Sequence, residues 1–224
     1  IAIQKSDDDT RARIVNSTLE DLADQAGSLV VQAIKSGERT AVATGISASL
    51  SKGSTTNWSV AGSASVTTST DDTRALLENT DVTGDVASPI AMGVQVVAYD
   101  RSRIGAGGGA LSVSTGKGSA SAGAAISIVD MKGSTSAVLN AGTMTRVHDL
   151  AVAALSSQKV VGMAAVASVQ TDASSKGQLM GSFVFNQIGN TVGAGVKGAA
   201  TVNLTGDLAI QAGGAPTDST LDAL

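Results

Sequence analysis

The chain repeats itself about every 60 residues, and this constrains its fold more than any single motif does. Asp21-Leu22-Ala23, Asp85-Val86-Ala87, Asp149-Leu150-Ala151 and Asp207-Leu208-Ala209 are spaced 64, 64 and 58 residues apart (21 to 85, 85 to 149, 149 to 207). A second landmark moves with the first. A strand of small residues, a polar corner ending in threonine and a second apolar run are clearest between Ser121 and Asn140, around Thr135. The plan returns around Thr10 and Thr73 and, more loosely, around Thr191. Two landmarks that travel together predict an array in which each copy packs on its neighbours. The copies are read as 1–39, 40–102, 103–160 and 161–212, with 213–224 as a tail or linker. Because the chain opens inside a copy at Ile1, it reads as a piece of something longer.

Composition narrows the class further. Hydrophobic residues make up 42 % of the 224 positions but aromatics only 2 %, and there are 26 glycines. A core of Ala, Val and Ile is buried only where backbone layers lie close together, since the gain follows the area removed from water. The net charge of −4 leaves no electrostatic footprint for a nucleic-acid partner. No run of 18 or more apolar residues offers a membrane span. The absence of cysteine fits a repeat body stabilised by stacking.

Alternation predicts strands through most of the chain. Val42, Thr44, Ile46, Ala48 and Leu50 share one face, and Trp58, Val60, Gly62, Ala64 and Val66 share another. Between them Lys52–Asn57 is a turn cluster, and Thr115–Ser119 and Thr171–Gly177 are its counterparts. Ile126, Ile128 and Phe183 are expected in the core, and Asp71 in a solvated corner. Only Thr18–Ile34 has helical spacing, with Ser17 and Glu20 as a capping box. Register with the other copies favours strand there.

The stretch Gly206–Gly214 (GDLAIQAGG), the Gly/Ala/Ser/Val strands and the polar corners leading into Thr-x-Ala resemble the repeats of giant bacterial surface proteins. These are the filamentous-haemagglutinin and leukotoxin-type adhesins exported by type V routes. An aromatic residue often follows the Thr-x-Ala there; here Arg13, Leu76, Val138 and Gly195 stand nearby. The resemblance implies an all-β fold, a β-solenoid and most specifically a right-handed parallel β-helix, outside the cell or on its surface. The repeat is longer than one coil of such a helix, so each copy is expected to hold two or three coils. The near-hairpin spacing of adjacent strands leaves an antiparallel arrangement open.

No residue is assigned as catalytic, cofactor-binding or metal-ligating. His148 is the only imidazole, so the usual zinc sets and a Ser-His-Asp triad lack partners, and it reads as a solvent-facing corner. Asp7-Asp8-Asp9 and Asp71-Asp72 occupy equivalent corners, but Asp130 with Lys132, and then Asn186 with Asn190, do not keep a calcium set. Gly193, Gly195 and Gly198 match G-x-G-x-x-G, yet a β-prone AATVNLTG follows where a dinucleotide fold needs a helix. Gly116-Lys117-Gly118 lacks the other phosphate-loop residues. Trp58 and Tyr99 alone make no sugar platform, and no cofactor is implied.

The expected function is therefore non-catalytic: a structural shaft segment of a secreted or cell-surface adhesin or filament. A self-assembling filament subunit is the second reading and a carbohydrate-active enzyme on the same scaffold the third. The partners expected are neighbouring repeats or further copies end to end, and a host surface or glycan.

Overall fold

Alternating sequences of this kind satisfy their backbone groups by pairing strands, and the repeat makes the pairing regular. The computed structural model describes residues 1–20, 28–50, 57–84, 93–171 and 176–214. Of these, 86 % are strand and none is helical, far above the usual 20–25 % strand. The chain makes successive passes. The first contains β1 (Ala2–Val15), β2 (Thr18–Glu20), β3 (Ser28–Lys35) and β4 (Glu38–Leu50). The second contains β5 (Trp58–Glu78), β6 (Asp81–Thr83), β7 (Gly93–Asp100) and β8 (Arg103–Thr115). The third has β9 (Ala120–Val147), β10 (Leu150–Ser156) and β11 (Lys159–Gln170), and the fourth has β12 (Gly177–Leu204) and β13 (Leu208–Ala212).

Three sheets result. Sheet A runs β1-β5-β9-β12, with β2 and β6 alongside; sheet B runs β3-β7-β10-β13; sheet C runs β4-β8-β11. Every ladder among the described residues is parallel, so the antiparallel alternative is not taken up. Strands pair with the neighbouring copies and not within a copy. Each copy is thus one pass, not the two or three coils expected; the passes are long because the strands of sheet A are long. Thr10 pairs with Thr73, and Thr73 with Thr135, as the landmark requires. In the fourth pass the position belongs to Val192 rather than Thr191. A slip of one residue exchanges the faces of a strand, and Thr191 points outward.

The helical alternative for Thr18–Ile34 is not taken where the structure describes it, since Thr18–Glu20 and Ser28–Lys35 are strands. The Asp21 and Asp85 landmarks, turn residues 52–56 and 172–175, and the tail beyond Gly214 lie outside the described residues. The other two landmarks coincide: Leu150 pairs with Leu208, and the Asp207 amide donates to the Asp149 carboxylate at 2.8 Å. Sheet A bends where Asn16 and Asn79 take φ of 51° and 46°, and Gly142 and Gly198 take 115° and 71° in the following passes. Gly and Asn are the residues for which left-handed backbone is cheapest.

Sheet A forms one layer, and sheets B and C lie side by side as the other. The short Gly116–Ser119 turn joins β8 to β9, strands that face each other across the interior instead of pairing. Against sheet B the interior is apolar: Leu77 and Leu139 meet Val94, Val96, Leu150 and Val152, all buried. Against sheet C it is built mostly from Ser, Thr, Ala and Gly, with one apolar cluster at the start of β8, where Ile104 and Ala106 meet Val129 and Met131. Thr67 Oγ1 donates to the Gly105 carbonyl at 2.9 Å, and Ser127 Oγ to the Ala106 carbonyl at 2.8 Å. Ser112 Oγ donates to the Ser59 carbonyl at 2.9 Å, and Ser47 and Ser59 share a hydroxyl contact of 2.6 Å.

This corrects the expected faces. Ile126 and Phe183 are 39 % and 55 % exposed, Ile128 is half-buried, and the intervening Ala125, Ser127 and Val129 are buried. On β4 the outward face is likewise the apolar one, with Val42, Ile46 and Leu50 exposed. One short hydroxyl side chain spans the gap between sheets A and C, whereas large side chains would hold sheets about 10 Å apart. The parity rule was sound; volume, not hydropathy, decides which parity faces inward. Ile126→Asp is expected to cost less than about 1 kcal/mol, as ordinary surface substitutions do. Gly108→Val should cost about 1–3 kcal/mol or more, because a Cβ there stands 2.8 Å from the Ile126 carbonyl oxygen. Urea midpoints of the two variants check this, and equal losses would contradict the assignment of faces.

Candidate functional site

Where sheets B and C meet, the interior facing sheet A is polar. Lys35 ends β3 and Arg39 is the second residue of β4, and both turn toward Asp71 of β5. Lys35 Nζ lies 2.9 Å from Asp71 Oδ1, and Arg39 Nη1 2.9 Å from Oδ2. Arg39 also binds the Asp8 carboxylate, and Lys35 Nζ donates to the Asp8 carbonyl at 3.3 Å. Asp71 has no exposed surface and Lys35 only 6 %. The solvated corner expected for Asp71 is thus corrected to a buried ion cluster. Its parity gives the signal that was missed: Asp71 shares the inward face with Ser65, Thr67, Ser69 and Thr73. Burial pushes the Asp71 carboxyl up, but the Ser69 hydroxyl and the Lys35 and Arg39 cations outweigh it and hold it below the usual range.

The seam continues in later passes without cations. Asp100, fully buried, accepts from the Ser102 amide and hydroxyl at 2.9 and 2.6 Å and from Gln158 Nε2 at 2.8 Å. Asn190, paired two strands away from Asp71's place through Gly133, donates to Ser156 Oγ at 2.9 Å. The arrangement holds charge and hydroxyl groups in fixed positions along the seam.

On the outer surface of sheet A a groove of about 390 Å³ crosses the C-terminal half of the β1-β5-β9-β12 ladder, lined by Arg11, Arg13, Arg74, Glu78, Asn140 and Lys197 among others. Register sets its shape. Arg11, Arg74, Ser136 and Gly193 make one row, and Arg13, Leu76, Val138 and Gly195 the next. Glu78, Asn140 and Lys197 make the third. Gly193 and Gly195 leave open space where side chains would stand. The G-x-G-x-x-G glycines therefore belong to a strand bordering this groove, not to a dinucleotide turn. Arg11 pairs with Asp9, Arg74 pairs with Asp72 at 2.6 Å, and Asn140 Nδ2 donates to Glu78 at 3.0 Å. Arg13 and Lys197 have no acidic partner among the described residues.

The other residues singled out by sequence do not converge. Adjacent aspartates of the corner clusters point to opposite faces, Asp71 inward and Asp72 to the outer surface, where the Ser134 hydroxyl binds it at 2.6 Å. That hydroxyl, with Arg74 beside it, outweighs burial and holds the Asp72 carboxyl below its usual range. Lys132 pairs with Asp130 at 2.8 Å. His148 sits in the corner after β9, its Nδ1 2.9 Å from Asp149. Trp58 is on sheet A and Tyr99 on sheet B. Compared with family models, curated proteins and solved structures, the chain finds no match in any of the three.

Removing the Asp71 charge leaves two cations without their carboxylate, and Asp71→Asn is expected to cost about 3–5 kcal/mol. Since the folded carboxyl titrates below its unfolded value of about 3.9, its stabilisation is complete above that value. It is lost as pH falls through the folded value. Denaturation of parent and variant from pH 7 down to pH 2 should show the gap between them narrowing in acid. A gap independent of pH would contradict the ion-pair assignment.

Proposed function

We propose that this chain is a shaft segment of a secreted or surface-displayed bacterial adhesin or filament, wound as a right-handed parallel β-helix and without catalytic work of its own. The observation that carries this reading is the ladder: each copy lies in parallel register on the next, through three sheets, at one pass per copy. Such a body lengthens by repetition without any new design of its core. Its work is mechanical, holding other parts of a longer molecule at a distance. Inserting one further copy between the second and third should extend the particle along one axis by the spacing of one strand, about 4.8 Å. Small-angle scattering or electron microscopy of chains with two or more inserted copies measures this. Growth in girth instead of length would sink the shaft reading.

The open edges favour a second reading, a self-assembling subunit. On one side β1, β3 and β4, and on the other β11, β12 and β13, end their sheets with unpaired ladder groups among the described residues. Such edges invite pairing with another copy. Light scattering over a concentration series should then show mass growing with concentration, whereas a monodisperse monomer throughout would reject self-assembly.

A further inference from the structure

We propose that the groove on the outer face of sheet A is a binding site for carboxylated carbohydrate, a short stretch of uronate-type sugar acids. This deepens the adhesin reading by naming what the shaft holds, and its failure would leave the length measurement above untouched.

The groove is cationic on a chain of net charge −4. Four of its lining residues are basic and one is acidic. Even counting Asp9 and Asp72, which bind Arg11 and Arg74, cations outnumber carboxylates four to three. Arg13 and Lys197 stand in neighbouring rows near the two ends of the groove, exposed and without an acidic partner among the described residues. Guanidinium groups offer paired donors that match a carboxylate. Between the two ends, Ser136 and Asn140 add a hydroxyl and an amide, the donors and acceptors that sugar hydroxyls use. The groove's volume is within the range of small-molecule sites.

Two features favour a sugar acid over an acidic peptide. The floor of the groove is made of side chains on β5 and β9, each paired on both sides, so an extended peptide lying in it finds a free backbone edge only at β1 and β12 on its rim. The apolar surface of the lining comes chiefly from Leu76 and Val138, neighbours in one row, on which the C–H face of a sugar ring can lie between the charged rows. Charge spaced along a polyhydroxylated chain fits the donors better than an apolar anchor does.

The test is calorimetric titration of the whole chain with trigalacturonate, neutral maltotriose and triglutamate as probes. Trigalacturonate is expected to bind saturably, with affinity falling as salt screens the charges. Maltotriose should not bind, and triglutamate should bind more weakly than trigalacturonate. Arg13→Ala with Lys197→Ala should weaken the trigalacturonate affinity roughly tenfold, two exposed charge contacts each supplying part of the change. Lys117→Ala, which removes a charge from a distant turn, should leave it unaltered. A circular dichroism spectrum matching the parent shows that the double variant is folded. Should that variant be misfolded, Arg13→Gln and Lys197→Gln tested singly carry the same expectation. No saturable trigalacturonate binding, equal loss in Lys117→Ala, or triglutamate binding as tightly as trigalacturonate would each overturn the proposal.

Discussion

The structure depends on how closely sheets A and C approach each other. A threonine hydroxyl on β5 reaches a backbone carbonyl on β8 directly, at 2.9 Å, and a serine on β9 does the same one pass on. Where those contacts are made the layers lie close, and large side chains enter between A and C only at the start of β8, where Ile104 packs with Val129 and Met131. Elsewhere small residues occupy the inward parity, and many larger residues stand outside, where they lean on their ladder neighbours: Ile3, Val66, Ile128 and Phe185 form one such row. Cross-layer hydrogen bonds each contribute only about 0.5–1.5 kcal/mol net, but they recur in successive passes. Glycine is used at the tightest points, as at Gly108 against the Ile126 carbonyl.

The interior is divided by the ion cluster of Lys35, Arg39, Asp8 and Asp71. On one side lies the thin hydroxyl layer, on the other an aliphatic core of Leu, Val and Ala. A buried ion pair is weak evidence for added stability, because desolvation offsets most of the attraction. It is far stricter about position. Sliding β5 so that Ser69, Thr70 or Thr73 stood in the place of Asp71 would leave Lys35 and Arg39 without their carboxylate, and Asp72 is the one neighbour that could replace it. The cluster thus restricts how the first two passes are aligned, where serines and alanines would accept more slips.

Much of the fold was legible because the repeat and the period-two alternation are independent of which face is buried. Thr10, Thr73 and Thr135 fall into one register as the sequence spacing requires. What was not legible was the inward face, since hydropathy favours Ile126 and Phe183 over Ala125 and Ser127, and only the distance between layers reverses that choice. The number of passes per copy was misjudged for a related reason: the strands of sheet A, such as the 28 residues of β9, are far longer than the usual five or six. The groove was hidden because its basic residues lie in three separate copies, Arg13, Arg74 and Lys197, and only the ladder brings them together. The short turns looked like hairpins because chain length alone does not tell a turn that pairs two strands from one that stacks them.

The parallel ladders also decide how the body bears load. Their hydrogen bonds point along the direction in which passes are stacked, so a pull distributed over a whole end loads every bond of one interface at once. No single weak link governs failure, and interfaces in series share the same tension. A pull applied only at a chain end acts differently, since it opens the outermost strand one bond at a time, like a zip. A stack of this build is strong when gripped across its cross-section and weak when peeled from a loose end.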